Sequence, residues 1–167
     1  MSMVADAGPM LSFARANLLD LLRQIVDDLI IPDAVYDDMV IRGAGKPGAE
    51  EVMQSSWIHR RSVQDRTLVD QLPAKLHLGE REALVLAREL GMVLLIDERE
   101  ARRAAAQHHI AHLGSLRVLE EAKQRGLIPA VKPALDDLMA AGMFIGENLY
   151  HDFLRTMGEE ESPTANA

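Results

Sequence analysis

The chain has 167 residues, of which 48% are hydrophobic and 26% charged, so it is long enough for one domain with a substantial core. No apolar run approaches the roughly 18 residues of a membrane span, and the lack of cysteine excludes disulfides and thiolate metal sites. With no signal-peptide pattern at the N-terminus, we expect a cytoplasmic protein without membrane contact. The net charge of −8 repels nucleic acid, so an RNA substrate would need a local basic patch or a bridging metal ion.

The sequence opens with a short strand that leads directly into an acid. Residues 3–5 are apolar and are followed by Asp6, which marks the end of this strand. Pro9 suits the first turn of a helix, and the spacing of leucines extends that helix to about residue 23.

A second apolar strand is followed by a helix that carries two neighbouring acids. The strand covers residues 29–31 and ends at Pro32, and the helix covers residues 33–40. Asp38 shares a face with the apolar residues of this helix, whereas Asp37 lies about 100° around it. We therefore expect Asp38 to be the inward-pointing acid.

The rest of the sequence continues the alternation of strands and helices. The predicted elements are a loop at 43–48, a short helix at 50–53, an extended segment at 57–63, a helix at 79–90, a strand at 93–96, a helix at 99–107, a strand at 110–113, and helices at 114–125, 133–141 and 147–157. This order predicts an α/β fold, a three-layer α/β/α sandwich with a small parallel sheet. We expect residues 1–158 to form a single domain, and the acidic, then polar, residues 159–167 to form a disordered tail.

The helix at 79–90 and the strand after it contain the most informative acids. Glu80 lies in line with Ala83 and Ala87 on the face suited to packing on a sheet, whereas Glu82 projects from another side. A carboxylate on a packed face is costly unless it is paired or bound to metal. Asp97 directly follows the apolar strand, where open α/β sheets keep their ligand crevices.

In order and spacing, these pieces resemble the PIN-domain superfamily of metal-dependent ribonucleases. The resemblance covers roughly residues 2–158 and is closest to the toxins of prokaryotic toxin–antitoxin pairs. The segments that carry it are VADAGPML at 4–11, LLDLL at 18–22, IPDAVYDD at 31–38, GEREA at 79–83, LIDER at 95–99, RR at 102–103 and LGSL at 113–116.

The resemblance implies a catalytic set of carboxylates. It places the first acid at Asp6, the second at Asp38, where the family usually has a glutamate, and the third at Glu80. The fourth is open, because an ungapped match favours Glu98 while the end of the strand favours Asp97. The implied ligands of Mg²⁺ or Mn²⁺ are Asp6, Glu80 and Asp97, and all-oxygen donors suit these hard cations.

Three arginines follow the last acids on one helix face. Arg99, Arg102 and Arg103 can bind RNA phosphates beside the metal site. The alternative is that they pair with Glu98 and Glu100 on a solvated helix surface.

The resemblance implies an endoribonuclease that hydrolyses RNA phosphodiester bonds, a toxin bound by a small antitoxin protein, and a homodimer. One alternative is a catalytically inactive PIN-like module that binds protein or RNA. Another is a receiver-like domain phosphorylated on Asp97, although the late lysine that such a domain needs is not evident after a strand.

Overall fold

Within residues 1–43 and 45–162, which the computed structural model describes, five parallel strands form one sheet in the order β3-β2-β1-β4-β5. The strands are β1 (Met3–Ala5), β2 (Leu29–Ile31), β3 (Ile58–Arg60), β4 (Val93–Leu95) and β5 (His112–Leu113). The three central strands, β1, β2 and β4, are runs of apolar residues, as expected for strands that are covered on both faces. The predicted α/β class and parallel sheet are confirmed.

Helices cover the two faces of the sheet and bury separate cores. The α-helices are α1 (Ala7–Arg15), α2 (Leu19–Ile25), α3 (Asp33–Tyr36), α4 (Ala49–Gln54), α5 (Arg66–Gln71), α6 (Leu78–Leu90), α7 (Arg99–Gln107), α8 (Ser115–Gln124), α9 (Lys132–Ala140) and α10 (Glu147–Thr156). Met3 and Ala5 of β1 belong to the core shared with α1, α2, α8 and α9, whereas Val4 belongs to the core shared with α6 and α7. This alternation along one strand produces the three layers.

The prediction of a single helix to residue 23 is wrong, because the helix is interrupted after α1 and α2 is a separate helix. Asn17 has a left-handed φ of 58°, and the N–H of Leu18 donates to the carbonyl of Phe13 (2.8 Å). This bond closes the end of α1 in the manner of a helix C-cap, and asparagine is one of the few residues that accepts this backbone conformation. The leucines keep their spacing across this interruption because α2 packs on the same core as α1.

The helix expected at residues 33–40 changes its winding halfway. It is α-helical over Asp33–Tyr36 and π-helical over Asp37–Ile41. A π-turn alters the angle between successive side chains, so the 100° rule does not apply to Asp38. The short helix α5 was missed; its signal is Asp65, whose carboxylate accepts from the N–H of Leu68 (3.0 Å) as an N-cap.

The start of the expected C-terminal tail is bonded to the domain. The Glu159 carboxylate accepts from Nζ of Lys123 (2.7 Å) and from the N–H groups of Val131 (2.8 Å) and Lys132 (2.9 Å). Residues 163–167 of that tail lie outside the described residues. Across the described parts of the chain, no helix has both the length and the apolar character to cross a membrane.

Candidate active site

A crevice of about 780 Å³ opens where β1 and β4 end. These neighbouring strands lie where the order of the sheet reverses, since β2 follows β1 on one side while β4 pairs with it on the other. Ligands of open α/β sheets bind at such a point. The crevice is lined by all the acids that the sequence singled out, Asp6, Asp38, Glu80, Asp97 and Glu98.

Asp6 lies at the base of the crevice and caps α1. Its N–H donates to the carbonyl of Leu95 (3.1 Å), which fixes it between β1 and β4, and its Oδ2 accepts from the N–H of Gly8 (3.5 Å). Only 7% of Asp6 is exposed, and it makes no salt bridge with any described residue. The pKa of the Asp6 carboxyl is raised to about 6, mainly by burial and to a smaller extent by the nearby charges of Glu80 and Asp38. Asp6 is therefore a buried acid that lacks a compensating cation.

Glu80 lies in the first turn of α6 and is buried to the same extent, with 7% exposed. Its Oε2 accepts from the N–H of His77 (2.9 Å), which closes a capping box at the start of α6. Burial raises the pKa of Glu80, and the negative charge of Glu98 adds to this effect. Glu80 is thus electrostatically linked to a second acid of the crevice.

Glu82, two residues further along α6, has a different role. It is also buried, but its Oε2 accepts from the N–H of Ala34 (2.8 Å) and its Oε1 pairs with Nη1 of Arg66 (2.6 Å). It therefore accepts a hydrogen bond from a backbone N–H at the N-terminus of α3, and it joins α3 and α5 to α6. Its charge is compensated within the protein, in contrast to that of Asp6.

Asp38 reaches the crevice from the π-helical turn. Its Oδ1 pairs with Nη1 of Arg42 (2.6 Å) on the outer side. Its Oδ2 lies against Gly79, where an added Cβ would be only 3.1 Å away. The glycine at the start of α6 thus provides the space in which this carboxylate sits.

Asp97 and Glu98 hold the starts of two helices. Both oxygens of Asp97 accept from Ser115, Oδ1 from its N–H (2.7 Å) and Oδ2 from its hydroxyl (2.6 Å). Glu98 caps α7 by accepting from the N–H of Ala101 (2.8 Å). Ser115 was not predicted as a site residue, and its only sequence signal is its position after Gly114 at the start of a helix.

Of the three arginines proposed to bind phosphate, the structure places one in the crevice. Arg99 lines it, whereas Arg103 pairs with Glu100 on the surface of α7 (3.6 Å). Arg102 lines a neighbouring cleft beside β5, and its Nη1 lies close to Gly114, 3.0 Å from where a Cβ would stand.

Comparison with models of known protein families shows to which family the chain belongs. A family model described as DUF3368, PIN domain, matches residues 2–159. The chain belongs to the PIN-domain family. PIN domains are in general nucleases that act on RNA and use divalent metal ions. No curated protein matches the chain.

The acids of this PIN domain fit a hard divalent cation in their chemistry. The donors are carboxylate oxygens, which Mg²⁺ and Mn²⁺ prefer. A bound cation would compensate the negative charges of Asp6 and Glu80. In the described residues, no three Asp, Glu or His side chains converge closely enough to hold an ion as they stand. Asp38, Asp97 and Glu98 each make hydrogen bonds within the protein.

Proposed function

We propose that this PIN domain is a Mg²⁺- or Mn²⁺-dependent endoribonuclease that hydrolyses RNA phosphodiester bonds. The observation that carries the proposal is the buried, uncompensated carboxylate of Asp6 at the base of a crevice lined by four further acids. Burying a carboxylate without a partner is costly, and a functional role accounts for its presence at the sheet's switch point.

The proposed ion ligands are Asp6, Glu80 and Asp97, and Asp38 and Glu98 complete the catalytic set. When bound, the ion acidifies a water molecule and neutralises charge on the phosphate. Ser115 orients the Asp97 carboxylate, as hydrogen-bonding partners of metal ligands usually do. Glu98 is the alternative third ligand, because its charge already acts on Glu80.

The protein's remaining contribution is to place the RNA. A crevice of acids repels a phosphate backbone, so binding depends on the cation and on nearby positive side chains. Arg99 lines the crevice and is proposed to hold a phosphate, with Arg102 and Arg103 binding the strand further along α7.

The finer role we propose is that of a cytoplasmic toxin that a small antitoxin protein inhibits, with the active form a homodimer. The sequence resemblance over residues 2–158 supports this role. Expression of the chain alone should stop growth of a bacterial host, and Asp6→Asn should relieve that effect. Unimpaired growth with soluble, folded protein would remove the toxin role and leave the nuclease proposal standing.

A second candidate is a PIN module that binds RNA or protein without cleaving it. It is favoured by Asp38, which is one methylene shorter than the usual glutamate and is paired with Arg42 (2.6 Å). Such a module would bind RNA without cutting it at any metal concentration.

The deciding experiment is cleavage of single-stranded RNA by purified protein with Mg²⁺, with Mn²⁺ and with excess chelator. We expect cleavage only with a divalent ion and none in Asp6→Asn. The exposed acid Asp137 on α9 provides the matched control, and Asp137→Asn should cut at the wild-type rate. Cleavage in chelator, or by Asp6→Asn, contradicts the proposal. Comparison of Asp97→Asn with Glu98→Gln identifies the third ligand as the one whose loss abolishes the metal response.

A further inference from the structure

An apolar group of residues shares the lining of the crevice with the acids. It consists of Met143, Phe144 and Ile145, in the connection between α9 and α10, and of Leu149 in α10. We call these four residues the apolar wall. Phe144 is 93% exposed, the most exposed of the large hydrophobic residues in the described chain. Burying such a ring is worth about 1.5–3 kcal/mol, so a ligand in the crevice that covers it gains binding free energy.

The connection that presents Phe144 is fixed on both sides of the ring. The N–H of Gly142 donates to the carbonyl of Met139 (3.1 Å) and that of Met143 to Leu138 (3.0 Å), which closes the end of α9. On the other side Ile145 is buried in the core with 8% exposed. Phe144 therefore stands on an anchored segment, with its ring directed to solvent.

The two sides of the crevice match the two parts of a nucleotide. A phosphate needs the carboxylate side, through a cation, whereas a base offers a flat, uncharged face that stacks on aromatic rings. A volume of about 780 Å³ lies within the roughly 300–1,000 Å³ of small-ligand sites and leaves room for a nucleotide.

We propose that Phe144 stacks on an unpaired base next to the phosphate held at the acids. This inference rests on the proposed ribonuclease function. A base within a duplex is stacked between its neighbours and cannot lie on a protein ring, whereas an unpaired base can. Because every base has a stacking face, this contact favours unpaired bases of any sequence.

The test compares binding of a short oligouridylate with binding of an abasic ribose–phosphate strand of equal length. Both are measured with Mn²⁺ in the Asp38→Asn background, which keeps the three proposed ion ligands and is expected not to cut the strand. Phe144→Ala should weaken oligouridylate binding about 5- to 150-fold, the range of one stacked base, and should leave abasic binding unchanged. Phe144→Tyr should retain wild-type affinity, and Phe144→Leu, which is apolar but not aromatic, should not. Met53→Ala, another exposed apolar residue, is the control and should change neither.

In the active protein, Phe144→Ala should raise KM for single strands while the metal-induced rise in melting temperature stays intact. The proposal is overturned if oligouridylate affinity is unchanged, if the abasic strand loses as much, or if Phe144→Ala only abolishes dimerisation or binding of a protein partner. Base-dependent binding without any cleavage refutes the ribonuclease function but supports stacking. Metal-dependent cleavage with unchanged KM and affinity in Phe144→Ala refutes stacking alone.

Discussion

Ser115 donates both its backbone N–H and its hydroxyl to the carboxylate of Asp97, at 2.7 and 2.6 Å. The two bonds tie the residue after β4 to the start of α8. They also fix the direction of the lone pairs that Asp97 keeps free. A metal ligand and a structural link can therefore be the same residue, because each carboxylate oxygen accepts more than one bond.

Ser115→Ala should separate these two roles. It removes one bond to a charged group at a buried position, so we expect the free energy of unfolding to fall by about 1–3 kcal/mol. If Ser115 orients a ligand, the stabilisation by Mn²⁺ should shrink as well. Urea unfolding with and without Mn²⁺ measures both effects. Ser55→Ala, at a half-buried serine that forms the C-cap of α4, is the control, and an equal loss there would contradict the special role of Ser115.

The raised pKa of Asp6 makes metal-free stability depend on pH in a defined direction. Between about pH 4 and 6 the unfolded chain loses the Asp6 proton while the folded protein retains it. Stability from this group is therefore complete below pH 4 and is lost as pH rises through 6, by about 3 kcal/mol. Asp6→Asn should remove this loss and be more stable than wild type at pH 7. Unfolding curves in chelator across this range test it, and parallel pH profiles of the two proteins would contradict it.

Removing the charge of Glu80 and removing that of Glu82 should change the stability of the protein in opposite directions. Glu80→Gln removes an uncompensated buried charge, so the metal-free melting temperature should rise and the gain from Mn²⁺ should largely disappear. Glu82→Gln breaks the pair with Arg66, so stability should fall by about 1–3 kcal/mol with the Mn²⁺ gain intact. Thermal melting with and without Mn²⁺ distinguishes them. Identical behaviour of the two variants would show that the crevice has been placed on the wrong face of α6.

Gly79→Ala should reduce activity without unfolding the protein. The new methyl group would stand 3.1 Å from Oδ2 of Asp38 and 3.4 Å from Cγ2 of Val35, so the carboxylate must move. Alanine favours a helix over glycine by about 1 kcal/mol, which offsets the crowding in α6. We expect a lower kcat with a melting temperature within a few degrees of wild type. Wild-type kcat in Gly79→Ala would mean that the placement of Asp38 does not matter for cleavage.

The arginines of α7 should differ in their contribution to RNA binding. Arg99→Ala should weaken binding of any single strand and lower the slope of log affinity against log salt by about 0.7, the value for one phosphate contact. Arg103 lies on the same helix and already pairs with Glu100, so Arg103→Ala should lower the slope by less than Arg99→Ala. Equal slopes for Arg99→Ala and wild type would assign Arg99 to the solvated surface.

Local patterns in the sequence predict which acids line the crevice, because parallel strands bring their carboxyl ends to one edge of the sheet. Asp6 and Asp97 each follow an apolar run, and Glu80 begins the helix that packs behind them. The bonds that orient these acids could not be predicted, since Ser115 lies 18 residues from Asp97 and contacts it only in the folded chain. Assignment of the third ligand depends on such long-range contacts.

Departures from regular α-helical geometry could not be predicted from the sequence either. The left-handed residue Asn17 and the π-helical turn at Asp37–Ile41 interrupt helices, but the spacing of apolar residues continues across both. The exposure of Phe144 could not be predicted, because the sequence around a single phenylalanine in a loop does not show whether its ring is buried or exposed. Its 93% exposure is a property of the tertiary structure alone.

The order of the sheet has a consequence for synthesis of the protein. Within this sheet β1 is made before its neighbour β4, which begins at Val93, so the acids that line the crevice are spread over residues 6 to 98. A chain still on the ribosome, with β4 inside the exit tunnel, has Asp6 but no crevice in which to use it. The acids near the messenger RNA being translated therefore do not form the complete crevice until β4 emerges and pairs with β1.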